Sequence, residues 1–367
     1  MKINLANIVI VALTSIALLG CGTEQTTNNG NKEEPVKEEQ KYQWKMVTSW
    51  PKNFPGLGLA PEKFAKLVNT MSNGRLTIKV YGAGELVPGF EVFDAVSQGT
   101  VQIGHSGPYY WKGKIPATPI FSGIPFGMTT AELNSWIYYG GGLELWREIY
   151  KPFGLIPMAG GNTGAQFTGW FKKEINTIDD LKGLKMRIPG LAGDVLKRAG
   201  GVPVNITGGE IFSSLQSGAI DASEWVGPYN DLAFGFHQAA KYYYSTVWHE
   251  PGSALEFIIN EKAYETLPKD LQKIIEVAAR AVNEDTFDEY NARNHTALKT
   301  LRDKHQVALR TLPDEVVTQL KKYTDEVIAE QVAADPDFAR VWKSYSEFLA
   351  SIRDYNDLTL KAYLNNR

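Results

Sequence analysis

Apolar positions recur along this chain in two periods, and their order lays out its elements. Residues 44–50 have strand character and stop at Pro51. Phe64, Leu67, Val68 and Met71 fall at three- and four-residue spacing, which predicts a helix over 61–71. Residues 76–81 alternate as a strand should after the Asn73-Gly74 turn. A loop rich in proline and aromatic residues runs to Phe126, and Thr130 then caps a helix reaching Tyr139. Strands are predicted at 155–159 and 166–171, on either side of a glycine-rich stretch at 160–164. Residues 179–189 form a short turn-helix feeding a strand, and 194–199 a helix closed by Gly200-Gly201. A helix over 228–238 and a strand over 254–260 follow. From Pro268 the pattern is helical, with Leu271, Ile274, Ile275, Ala278, Ala281 and Val282 on one face that continues towards His305. Such a length suits a spine bridging two lobes. A last amphipathic stretch, 316–363, carries Val327, Ile328, Val341, Trp342, Tyr345 and Phe348. It packs on the chain's own body or on a partner helix.

Two stretches repeat this patterning about 119 residues apart. Residues 92–111 read VFDAVSQGTVQIGHSGPYYW and residues 211–230 read IFSSLQSGAIDASEWVGPYN. Each puts apolar residues (Phe93 and Val96; Phe212 and Leu215) at the end of a short helix. Gly99 and Gly218 follow, where a helix ends in the left-handed conformation. Val101 or Ile220 then opens a buried strand, and both copies close on Gly-Pro-Tyr. A unit used twice predicts two similar α/β lobes whose strand ends face one another across a crevice, a place for a small ligand.

The N-terminus bears on location. Lys2 precedes an apolar run of about twelve residues, 8–19, followed by Leu18-Leu19-Gly20-Cys21. The run is too short to span a bilayer but fits a signal-peptide core over 1–20. Leu-x-Gly-Cys looks like a bacterial lipobox, which makes Cys21, the only cysteine, a lipidation site and excludes a disulfide or cysteine metal site. Residues 21–41 hold one branched aliphatic and no aromatic, too little apolar surface to order them. Twenty such residues span roughly 25 Å as a flexible tether. A formal net charge of −3 without basic runs argues against a nucleic-acid partner. Nine tryptophans and seventeen tyrosines suit a ligand cleft or a large aromatic core.

Gly74-Arg75-Leu76-Thr77-Ile78-Lys79-Val80, Asp180-Leu181-Lys182-Gly183-Leu184-Lys185-Met186-Arg187 and Leu215-Gln216-Ser217-Gly218-Ala219-Ile220-Asp221-Ala222 resemble the solute-binding proteins of TRAP transporters. Glu224-Trp225-Val226-Gly227-Pro228-Tyr229-Asn230-Asp231-Leu232 and Trp248-His249-Glu250-Pro251-Gly252 look like the branch that binds 2-oxo and 2-hydroxy monocarboxylates. The resemblance covers about residues 42–340. It implies an α/β, two-lobed periplasmic-binding-protein-like fold with a long interlobe helix and a C-terminal helical extension. Lobe I is expected over 42–164 plus about 251–285, lobe II over 165–250 plus about 286–330, and the extension over 331–367. No chemistry is implied; the ligand is passed to two integral-membrane permease subunits.

Arg187 lies near a predicted strand end, where a guanidinium meets a carboxylate with two parallel hydrogen bonds; the resemblance implies this clamping role. Glu224 ends the second repeat's strand. The resemblance implies that Glu224 and the Trp225 backbone carbonyl hold a metal ion, that Gln166 contributes its side-chain oxygen, and that Glu250 lies near ligand and cation. Independently of it, Glu224, Glu250 and a monocarboxylate against Arg187 leave an excess of two negative charges in a closing cleft. All-oxygen ligands suit Na⁺ or Ca²⁺ better than zinc. Tyr109, Tyr110 and Trp111 are expected to face the cleft from the opposite lobe, with Asn162 a weaker candidate. Branch members pair through a long C-terminal helix, which makes 316–363 a candidate homodimer contact.

Two other functions compete. A sensory receptor for the same acids differs only in its partner. An extracytoplasmic hydrolase would have to use one of five histidines, none of which lies in a Gly-x-Ser-x-Gly or His-Glu-x-x-His context. The expected location is extracytoplasmic, lipid-anchored to the bacterial cell membrane.

Overall fold

Strand pairing decides which residues meet. The computed structural model describes residues 40–367; the expected signal peptide, Cys21 and nearly all of the expected tether lie outside the described residues. The first half holds β1 (Tyr42–Thr48), α1 (Leu59–Met71), β2 (Leu76–Tyr81), α2 (Val92–Ser97), β3 (Ile103–Ser106), α3 (Thr130–Tyr139), α4 (Gly142–Tyr150) and β4 (Leu155–Asn162). Next come β5 (Gly169–Phe171), β6 (Lys185–Arg187), α5 (Gly190–Arg198), β7 (Val202–Val204), α6 (Gly208–Ser217), β8 (Ala222–Ser223), α7 (Pro228–Phe234) and β9 (Tyr242–Tyr244). The chain closes with β10 (Ala254–Asn260), α8 (Glu261–Glu265), α9 (Lys269–Asp303), β11 (Ala308–Arg310), α10 (Asp314–Ala334), α11 (Pro336–Asn356) and α12 (Ala362–Asn365).

These strands make two sheets, the centres of two lobes. The first runs β2-β1-β3-β10-β4 and the second β11-β9-β5-β8-β6-β7. In the first, β1, β2 and β3 are parallel and β10 lies antiparallel between β3 and β4. In the second, β6 pairs parallel with β7 and β8, and β5 is antiparallel to β8 and β9. The C-terminal ends of β1, β3 and β4 therefore share one edge, as do those of β6, β8 and β9. In α/β sheets that edge is where ligands collect.

Helix packing follows the apolar spacing. Phe64, Ala65 and Val68 of α1 are buried. On α9, Leu271, Ile275, Ala278 and Val282 pack with β1, β2 and β10 residues, whereas Tyr290 and Leu301 belong to a separate core with Trp170 and Tyr243. One helix thus feeds both cores, as the long periodic stretch predicts. Helix α10 packs on α5, where Arg198 pairs with Glu326 (3.0 Å) and Glu330. Helix α11 packs on α3 and α4; Trp136 Nε1 donates to Ser344 Oγ (3.1 Å), and the Met128 N–H donates to Tyr345 OH (2.6 Å).

The repeat recurs as geometry. α2 leads to Gly99 (φ 74°) and β3, and α6 to Gly218 (φ 84°) and β8. Both strands open two residues later than the buried Val101 and Ile220, because the chain is still turning there. In both copies the proline starts a helical turn: a 3-10 turn over Pro108–Trp111 and α7. Helix α3 is capped by Thr129 rather than Thr130, since the capping box needs Glu132 at its third position. The strand expected over 166–171 shrinks to β5, because Gln166, Phe167 and Thr168 donate instead to Glu250, Val226 and Thr246 carbonyls. A Cβ at Gly169 (φ 116°) would sit 2.3 Å from the Ser223 carbonyl oxygen, so only glycine lets β5 approach β8 this closely.

Glu256 is fully buried in the middle of β10. Trp111 Nε1 donates to its Oε1 (2.5 Å) and Tyr150 OH to its Oε2 (2.9 Å). Burial pushes its carboxyl up to about 8, against those two bonds. The folded state therefore holds this proton more tightly than the unfolded chain, so the group's contribution is fully present below its ordinary range and is lost as pH rises towards 8. Glu256→Gln, which mimics the protonated form, is expected to lose less stability between pH 5 and pH 8 than the wild type in urea unfolding; parallel slopes would contradict this.

Candidate functional site

Parallel register brings two buried charges together. Arg187 closes β6, opposite Ser223 of β8, and Glu224 is the next residue, its N–H donating to the Arg187 carbonyl (3.2 Å). Their side chains meet as an ion pair between Arg187 Nη1 and Glu224 Oε1, and both are about 1% exposed. The other lobe supplies Tyr110, whose hydroxyl accepts from Arg187 Nη2 at 2.9 Å. Arg187 Nε points to the Ile206 carbonyl at 3.4 Å, and the guanidinium lies 4.9 Å from the Trp225 ring centre. Burial opposes the guanidinium's charge, but Glu224 and the tyrosines outweigh it and hold Arg187 above its ordinary value.

A small cavity, of only about 10 Å³, adjoins this pair, lined by Trp50, Tyr109, Thr163, Pro189, Val226 and Glu250 as well as Arg187, Glu224 and Trp225. Glu250 is buried; burial first, and then the Glu224 carboxylate, push it up to about 7. Burial likewise raises the hydroxyls of Tyr109 and Tyr110. Gln166 holds the site from beside Thr163: its Nε2 donates to Thr163 Oγ1 (2.8 Å) and its backbone N–H to the Glu250 carbonyl (3.0 Å). Its Oε1 is buried with no protein partner. A larger groove of about 500 Å³ between α3 and α9 is lined by Tyr138, Tyr139, Val277 and Arg280 but encloses no buried ion pair.

Of the residues singled out in the sequence, Arg187, Glu224, Trp225, Glu250 and Tyr109 line the cavity, Tyr110 is bonded to Arg187, and Gln166 to cavity-lining Thr163. Trp111 and Asn162 are the exceptions. A 3-10 turn places successive residues about 120° apart, so Trp111 turns into the core and bonds to Glu256. Asn162 ends β4, its Oδ1 accepting from Thr130 Oγ1 (2.8 Å) and the Gly164 N–H (2.9 Å). Trp50 and Thr163 were missed; their signal is position alone, just beyond the ends of β1 and β4. His249 sits with Nε2 3.6 Å from Glu224 Oε2, and neither ring nitrogen has a hydrogen-bond partner. It carries no sequence signal beyond its neighbour Glu250. Among the described residues, no three His, Cys, Asp or Glu side chains are grouped to hold a metal alone.

Removing one partner of a buried ion pair strands the other. Arg187→Met is expected to destabilise the protein by about 3–5 kcal/mol, and the double variant Arg187→Met/Glu224→Gln to recover most of that loss. Urea unfolding of the three proteins checks this, and additive losses would show that the pair is not coupled.

The model of the bacterial extracellular solute-binding proteins, family 7, matches residues 46–335. A monocarboxylate 2-oxoacid-binding periplasmic protein of Nostoc is 44% identical over 295 residues, which is 80% of this chain and 79% of that protein. A TRAP periplasmic solute-binding protein from Pseudoalteromonas atlantica, crystallised with bound sodium and pyruvate, superposes with a TM-score of 0.87 at 44% identity, covering 89% of this chain and 100% of that one. A counterpart from Colwellia psychrerythraea, with bound calcium and pyruvate, gives 0.87 at 46% identity over the same shares.

Proposed function

The chain belongs to the bacterial extracellular solute-binding proteins of family 7, as a TRAP solute-binding protein acting outside the cytoplasm, and we propose that it captures a small 2-oxo or 2-hydroxy monocarboxylate together with a cation. The acid is then delivered to the two integral-membrane subunits of its permease. One observation carries the reading: a fully buried guanidinium, backed by a tyrosine from the other lobe, beside a small cavity between the lobes that two acids also line. Arg187 still has N–H groups free to take a carboxylate, and Tyr109 and Tyr110 orient its 2-oxo or 2-hydroxy group. The relatives with bound pyruvate support the acid's class.

Charge supports the cation. Glu224, Glu250 and the bound acid against Arg187 leave two uncompensated negative charges, which a divalent ion cancels. Sodium leaves one of them, or requires a proton on Glu250, whose carboxyl burial and then Glu224 push up to about 7. Gln166 Oε1, buried without a partner, fits this role, as do the carboxylates and the Trp225 carbonyl as hard oxygen ligands. With so few grouped acids, the bound acid's own oxygens complete the set. The lobe boundaries, 42–164 plus about 251–285 and 165–250 plus about 286–330, are part of the proposal. So are two attachments: a lipid on Cys21, supported by Leu18-Leu19-Gly20-Cys21, and a homodimer through the C-terminal helical stretch 316–363. There Leu358 is 81% and Tyr363 63% exposed.

Calorimetric titration with pyruvate tests the core of this. Binding is expected with calcium or sodium present and to be lost with chelator in sodium-free buffer; undiminished affinity there removes the cation. Arg187→Ala is expected to cost at least about 2–5 kcal/mol of binding. Native mass spectrometry is expected to find acid and metal on a paired chain, and a monomer bearing both rejects the dimer. Cys21→Ser is expected to move the protein from membrane to soluble fractions; an unchanged distribution rejects the anchor.

A further inference from the structure

The turn that presents Tyr109 and Tyr110 is short and poorly self-supported. Its internal backbone bonds are Tyr110 N–H to the Gly107 carbonyl (3.1 Å) and Lys112 N–H to the Tyr109 carbonyl (3.4 Å). Such a segment does not fix its own orientation. Besides the bond from Arg187 to Tyr110, two tethers act on it from outside. Lys112 Nζ reaches across to α5, donating to the Gly190 carbonyl (3.0 Å) and Asp194 Oδ2 (2.6 Å); that tether depends on the two lobes being close. The other is Trp111, whose indole N–H ends on Glu256 within the turn's own lobe.

Glu256 occupies a position where an aliphatic residue would be cheaper. It lies on β10, an interior strand of the first sheet, opposite Ser106, the last residue of β3 before the turn begins. A carboxyl group there loses its hydration and is tolerated only because its oxygens are taken up. Both are: Oε1 by Trp111 and Oε2 by Tyr150 at the end of α4. The Trp111 ring packs against Phe93 (centroids 5.4 Å apart) and Tyr110 (6.2 Å), so fixing the indole fixes the neighbouring phenol. Tyr110 in turn reaches Arg187.

We propose that Glu256 is a positioning residue for the anion site: it holds Trp111, and through Trp111 it sets where Tyr109 and Tyr110 stand relative to Arg187. It touches no ligand itself. The inference rests on the reading that these tyrosines and Arg187 hold a monocarboxylate, and it adds a buried determinant of how tightly they do so.

Calorimetric titration of the full-length protein with pyruvate in the presence of calcium tests it. Glu256→Leu leaves the Trp111 N–H and the Tyr150 hydroxyl without partners, and is expected to weaken binding about tenfold or more while the circular dichroism spectrum stays native. Glu256→Gln, which keeps an acceptor for Trp111, restores most of the affinity. In a Tyr110→Phe background, Glu256→Leu is expected to add less than about threefold, because the group it positions is already gone. A merely structural role would instead make the two losses multiply, and that result overturns the proposal. So does Glu256→Leu binding within threefold of the wild type. Should Glu256→Leu fail to fold, Trp111→Phe removes the same donor while filling the space. It is expected to show the same tenfold weakening, and native affinity in it overturns the proposal. Wild-type protein that binds no pyruvate sinks the ligand reading and this inference with it; wild-type binding with unaltered variants sinks this inference alone.

Discussion

Arg187 and Glu224 carry opposite charges in a place water does not reach, and the surroundings are arranged to make that tolerable. Burying either charge alone would be strongly unfavourable, and burying them as a pair is seldom better than an apolar substitute. The pair is held by register, since β6 and β8 run parallel and their consecutive ends bring a guanidinium and a carboxylate into contact. The compensation comes from elsewhere: a tyrosine hydroxyl from the other sheet, a carbonyl at Ile206 and the face of Trp225. A fold that only had to be stable would place leucine and methionine there. Two sealed charges with unspent donors and an adjoining cavity belong to a protein that receives a charged guest.

The same logic explains why both sheets are needed. Each contributes the C-terminal ends of parallel strands, so the loops beyond those ends converge. The first sheet supplies Trp50, the tyrosine turn and Thr163; the second supplies Arg187, Glu224 and the segment ending in Glu250. Neither half alone encloses the cavity. Aromatic rings close the seam, with Trp50 and Phe54 set edge-on against Trp225 and Phe54 stacked on Phe234 at 4.1 Å. Apolar seams of this kind exclude water without fixing the lobes by directional bonds.

Much of this is legible from periodicity and punctuation. The helix–glycine–strand unit at 92–106 and at 208–223 is visible because a left-handed glycine leaves a mark and the apolar spacing changes across it. Arg187 and Glu224 are visible because they sit at strand ends. Three things were not visible. Helix α4 begins within a glycine run, with Gly141 left-handed as its cap, so its buried Trp146 and Ile149 sit in a stretch for which no element is predicted. The strands β7 and β11 are three residues each, too short for alternation to register. Trp111, Trp50 and His249 depend on where a turn points, which tertiary contacts decide and local pattern does not.

The two long helices near the C-terminus sit on opposite sides of the divide, α10 against α5 and α11 against α3 and α4. They are joined at Asp335, whose side chain accepts from the Phe338 N–H (2.6 Å), with Pro336 opening α11. If one half of the molecule rotates against the other, this elbow must absorb the change. The far arm, ending in Leu358, Leu360 and Tyr363, is tied to α3 by the bond from Asn356 to Glu132 and would travel with that half. An event at the buried charges would thus be displayed on an outer face, where a neighbouring protein could sense whether the vessel is empty or full.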